Sequence, residues 1–115
     1  ELAMTWFGVE RRMKCDICIV SKMVAANRKV DFCYQEEPET ADDSGWRFFS
    51  GEEDQQYSDS QENFVLCGLE AVVEVSPELN DLVELPWPIA FERSQLTGEL
   101  LQIHDYHFGR DLLLC

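Results

Sequence analysis

The stretch Asp43-Ser44-Gly45-Trp46-Arg47-Phe48-Phe49-Ser50-Gly51-Glu52-Glu53-Asp54 sets the terms for the rest of the chain. A turn signal ending in Gly45 precedes residues that alternate as a strand does, and Gly51 then opens into an acidic run. Side chains on a strand alternate with a period of two, so Trp46, Phe48 and Ser50 share one face while Arg47 and Phe49 share the other. The first face is apolar and reads as core. The second mixes an aromatic ring with a cation.

Upstream, residues 14–24 are rich in Cys, Ile and Val and lack Gly and Pro, which predicts a buried strand over 15–23. A short polar connection over 25–29 includes Asn27, a residue suited to left-handed turn geometry, and Val30-Asp31-Phe32-Cys33-Tyr34 alternates again. Two strands so close in sequence most simply form a hairpin. Residues 36–44 are polar, carry Pro38 and show no period, so they read as a loop into the Trp46 strand. The three strands would then form an antiparallel meander.

Downstream, the acidic segment 52–63 reads as a solvated loop or frayed helix. Leu66, Leu69, Val72 and Val73 fall on helical spacing and predict a helix over 64–75, with Asn63 as its cap. Ser76-Pro77-Glu78 opens a second short helix running to about residue 83. Pro86 and Pro88 flank Trp87, and Ile89-Ala90-Phe91-Glu92-Arg93 reads as a fourth strand returning to the sheet. In the tail, Gly98 and Gly109 bracket a further strand candidate containing Leu101, Ile103 and Tyr106. The expected fold is α+β: one domain over 1–115, with an antiparallel sheet of four to five strands and two short helices packed on one face.

Nine basic residues against 23 acidic ones give a formal net charge of −14. Such a field repels phosphate backbones and anionic lipid, so nucleic acid and membrane are not expected as partners and a basic protein is. The same charge also serves solubility alone. The longest apolar run, 64–69, is too short to cross a bilayer, and the first residues lack the basic and apolar regions of a secretory signal. A cytoplasmic protein is expected, with Cys15, Cys18, Cys33, Cys67 and Cys115 as reduced thiols.

Side chains that might carry chemistry are sparse. Cys15 and Cys18 have knuckle spacing but diverge on a strand and lack a second ligand pair. His104 and His107 diverge on a strand too; only on a helix would they converge, and a small metal-dependent enzyme using both is the alternative reading. Placing Gly45 at the sharp turn of a calcium loop leaves Gly51 where a bidentate Glu is required, so that register fails. No nucleophile elbow or phosphate-binding loop occurs. No cofactor and no metal are therefore expected. What remains is a surface: Glu36, Glu37, Asp42 and Asp43 before the Trp46 strand, and Glu52, Glu53 and Asp54 after it. Dense carboxylates steer a cationic partner, and Trp87 is a candidate for the desolvated anchor that holds it. Loops at opposite ends of one strand join into one patch only if the longer folds back.

Val20-Ser21-Lys22-Met23, Tyr34-Gln35-Glu36-Glu37-Pro38, the stretch 43–54 and Ala90-Phe91-Glu92-Arg93 together resemble a bacterial family. It is the thirty-third family of immunity proteins of polymorphic toxin systems, formerly a domain of unknown function. The resemblance covers residues 15–93 and leaves 94–115 as a C-terminal extension. It implies an α+β fold and a protein that protects its producer by binding a cognate toxin, without catalysis of its own. It brings no catalytic residues with it. A housekeeping protein with no toxin is the other reading of the same fold.

Overall fold

A computed structural model describes residues 16–86 and 88–104. The order of elements is β1 (Ile17–Ser21), α1 (Lys22–Asn27), β2 (Phe32–Gln35), β3 (Asp43–Phe49), α2 (Gln55–Ser58), β4 (Phe64–Gly68), α3 (Leu69–Val75), β5 (Ile89–Arg93) and β6 (Leu100–Gln102). Turns of 3-10 helix occupy Gln61–Asn63 and Pro77–Asp81. The strands form one sheet in the order β4-β1-β3-β2-β5-β6.

The fold is α+β, as expected, but the meander is not formed. β1 pairs with β3 in parallel, and β2 lies on the far side of β3, so β1 and β2 never meet. The sheet is therefore mixed and has six strands among the described residues rather than four or five. The cause is local and begins at Ser21. Its hydroxyl accepts the Met23 amide at 3.1 Å, which ends the strand and caps α1. Lys22, Met23, Ala25 and Ala26 are good helix formers, and a single run over 15–23 gives way to a five-residue strand and a helix. The helix ends with Arg28 in the left-handed region at φ 54°, where the sequence pointed to Asn27. A helix between two strands removes the hairpin and leaves room for parallel pairing.

The second correction concerns 64–75. Its first half is the edge strand β4 and only its second half, from Leu69, is helical; Asn63 ends a 3-10 turn and caps nothing there. The Ser76-Pro77-Glu78 start opens a single 3-10 turn, with no hydrogen bond from the Ser76 side chain to cap it. The returning strand 89–93 and a short strand within 99–108 are both present.

The alternation read for β3 holds. Trp46, Phe48 and Ser50 are fully buried. Trp46 stacks on Phe48 with ring centroids 5.7 Å apart, and both pack with Cys18, Val20, Cys33 and Phe91 of neighbouring strands. Val24 of α1, Val72 of α3 and Leu79 of the second 3-10 turn close this core, so these elements back one face of the sheet; of the two helices expected there, 64–75 survives as α3 and 76–83 as the 3-10 turn, and α1 is additional to them. The Trp46 indole N–H donates to the Val83 carbonyl at 3.0 Å, which satisfies the polar edge of a buried ring.

The opposite face is built from the other half of each strand. Directly paired residues share a face, and Phe49 sits opposite Phe32, which sits opposite Glu92, which sits opposite Leu101. In the neighbouring rank Arg47 lies between Ile19 and Tyr34.

Candidate partner-binding site

Arg47 accounts for two of the carboxylates around the start of β3, Glu36 and Asp43. Its side chain is only 3% exposed, so its charge must be balanced within the fold. Nη1 and Nη2 donate to the two Asp43 carboxylate oxygens, each at 2.9 Å, and Nε donates to Glu36 at 2.8 Å. A fourth bond runs from Nη1 to the Trp46 carbonyl at 3.2 Å. Residues four apart on a regular strand are about 13 Å apart, too far for such a clamp. Here the strand is bulged: Asp43 to Arg47 on β3 spans the same length as Ile17 to Ile19 on β1. Gly45, at φ 88°, supplies the bend, and a Cβ there would come within 2.3 Å of the Glu36 carbonyl oxygen. Burial alone would raise the Asp43 carboxyl, but the Arg47 hydrogen bonds and the Glu39 and Gly45 amides prevail and hold it at about 2.

The acids at the other end of β3 also have internal work. Glu53 accepts the Ser50 and Gly51 amides at 2.9 and 3.0 Å and the Ser50 hydroxyl at 3.1 Å. These bonds, with one from Ser21, outweigh burial and lower its carboxyl below the usual range. Asp54 caps α2 through the Tyr57 amide at 2.8 Å. Glu52 pairs with Lys29 at 3.0 Å and accepts from Asn27. Glu37 and Asp42 are exposed in the loop before β3. The two acidic clusters lie at opposite ends of β3, which the bulge shortens to about 13 Å, and the longer loop does not fold back to join them. Instead its Glu36 amide bonds Gly45, and its Asp42 carbonyl accepts the Ile17 amide. Trp87 lies outside the described residues.

Beside the acidic run that follows β3, on the face away from the core, is a groove of about 600 Å³. Its aromatic lining is Phe32, Tyr34 and Phe49, with centroids 5.5 to 6.0 Å apart in each pairing. Phe64 meets Phe49 edge-on and Tyr57 meets Phe64 the same way, extending the aromatic strip towards β4 and α2. Asp31, Glu53, Glu92 and Arg93 stand around it. Sequence reading passed over this set, although the signal was there: the alternation that buries Cys33 puts Phe32 and Tyr34 on the face that carries Phe49.

The thiols and imidazoles offer no second centre among the described residues. Cys18 donates to the Cys67 carbonyl at 3.3 Å, and burial raises its thiol well above the usual range. Burial pushes Cys33 up to about 12. His104 is exposed just after β6, no group of three His, Cys, Asp or Glu side chains able to hold a metal occurs among the described residues, and His107 and Cys15 lie outside them. No helix among the described residues is long and apolar enough to cross a membrane.

The described residues form an α+β fold with a helix-backed sheet, and comparison with known families makes the class specific. Residues 18–104 match the family described as the Immunity protein Imm33 domain. The chain belongs to that family. The match runs from the second residue of β1 to two residues beyond β6, so it takes in all six strands except Ile17. No curated protein and no solved structure matches the chain.

Proposed function

We propose that this protein is an immunity protein that binds and neutralises a cognate bacterial toxin in the cytoplasm, without catalysing a reaction. The observation that carries the reading is the family match over residues 18–104. The net charge of −14 supports a basic toxin as the partner and disfavours nucleic acid and anionic membrane. Of the seven carboxylates singled out around the Trp46 strand, Glu37, Asp42, Glu52 and Asp54 are the exposed ones, and they are the proposed steering residues. Glu36 and Asp43 support that surface from below by holding its loop to Arg47.

The test is binding calorimetry with the protein encoded by the adjacent reading frame, together with growth of cells expressing that protein with and without this one. Tight binding and rescue of growth are expected. Absence of both would refute the immunity reading. Reversing the charge of Glu37, Asp42, Glu52 and Asp54 together is expected to slow association by about tenfold or more at low salt.

A further inference from the structure

The two edges of the sheet are finished differently. β6 is an edge of three residues, and so short a strand offers little to pair with. β4 is the other edge and carries no such guard. Its five residues, Phe64-Val65-Leu66-Cys67-Gly68, include no charge and no proline, and its register with β1 is unbroken. Val65 is 42% exposed and Leu66 71%, on opposite faces because neighbours on a strand alternate.

The hydrogen-bond phase of β4 shows which backbone groups are open. The Leu69 amide donates to the Asp16 carbonyl at 2.8 Å, and the Ile17 amide turns the other way, to Asp42 on the side of β3. Bonded pairs alternate in an antiparallel ladder, so Val65 and Cys67 bond β1 while both groups of Leu66, the N–H of Gly68 and the carbonyl of Phe64 point outward. No backbone group among the described residues meets them there. The charge around the edge selects its occupant. Glu62 lies two residues before β4 and Glu70 two residues after it, the latter with its carboxylate beside Gly68, and neither enters an ion pair among the described residues. A second copy paired antiparallel about Leu66 sets each Glu62 against the other copy's Glu70, in a dimer whose chains each carry −14. A segment with basic residues at both ends gains an ion pair at each instead. From this we infer that β4 receives an extended segment of the toxin as a further strand, apolar where it crosses Val65 and Leu66 and carrying lysine or arginine at both ends for Glu62 and Glu70. That the strand belongs to the toxin rests on the immunity reading; that the edge takes a strand with basic ends rests on β4.

Two experiments on the full chain separate these. In the first, amide hydrogen exchange is followed by NMR with the peptide Lys-Lys-Val-Ile-Thr-Ile-Val-Lys-Lys. The controls are its proline-centred form, equal in charge but interrupted as a strand, and a form with glutamates at both ends. Exchange slowed by about tenfold or more at Leu66 and Gly68 with the first peptide alone supports the inference. Equal effects with either control, effects confined to the acidic loops, or no effect overturn it. In the second, the toxin is titrated into wild type, Leu66→Pro, Leu66→Lys and the double variant Glu62→Lys, Glu70→Lys, with thermal unfolding confirming that each is folded. Leu66→Pro removes an amide that β1 does not use, and Leu66→Lys serves if the proline variant does not fold. The expected loss of affinity is about tenfold or more in each. Unchanged affinity in the folded variants overturns β4 as the contact. A wild-type dimer in sedimentation that Leu66→Lys abolishes assigns the edge to a second copy and overturns the toxin strand. A wild type that binds no toxin overturns the immunity reading, and an edge that still selects the lysine-ended peptide then keeps its preference.

Discussion

Arg47 is the residue on which the loop before β3 depends. Replacing it with alanine leaves Asp43 with little water and without the Arg47 charge, and the expected loss is about 3 kcal/mol or more in urea unfolding at neutral pH. The pair also makes a pH prediction. Asp43 is held at about 2 against an ordinary value of 3.8, so the folded state binds fewer protons than the unfolded state between those values. Stability is complete above about pH 4 and falls as pH drops towards 2, by about 2 kcal/mol in total. Asp43→Asn should flatten that part of the acid-unfolding profile, and a profile unchanged from wild type would count against the clamp. The sequence showed Arg47 on the second face of β3 but not what it touches. Asp43 and Glu36 looked like free surface charges because the bulge that brings Asp43 within reach is a matter of pairing register, which no local pattern records.

At the scale of elements, Gly45 and Gly98 form a natural pair for comparison. Both have positive φ, at 88° and 80°, but a side chain at Gly45 would strike the Glu36 backbone while one at Gly98 meets open space. Gly98→Ala is expected to cost about 1 kcal/mol, the strain of a left-handed alanine. Gly45→Ala should cost about 3 kcal/mol or more, because the backbone of the loop must move as well and the Arg47 clamp with it. Similar losses in denaturant titrations of the two variants would show that the contact with Glu36 is not the constraint described. The elements read correctly from sequence were those whose two faces differ, β3 above all, where Trp46 and Phe48 alternate with Arg47. The misread ones lack that contrast. β4 is an edge strand whose Val65 and Leu66 are both exposed, so its apolar run carried no alternation and merged with the helical spacing of α3. The turn from β1 into α1 was hidden because Ser21 is buried and β1 and α1 are both apolar, leaving one capping hydroxyl as the signal.

For the whole molecule, a net charge of −14 on 115 residues sets two opposed responses to salt. Screening relieves self-repulsion, so the melting temperature should rise by a few degrees between low and physiological ionic strength. The association rate with a basic partner should fall over the same range. A melting temperature that falls with salt would mean that ion pairs such as those of Arg47 and Lys29 outweigh the repulsion. The strand order has its own consequence for synthesis. β1 and β2 emerge from the ribosome before β3, yet both pair with β3 and not with each other. Until translation passes Phe49, these two strands have no sheet partner among the described residues, and Cys18, Val20 and Cys33 have no core to enter. The nascent chain thus carries exposed apolar strand for that interval, during which a holding chaperone has its greatest opportunity to act. Once β3 is out, one strand captures both of its neighbours, so assembly of the central three strands is tied to a single moment of elongation, and β4, β5 and β6 add to them afterwards.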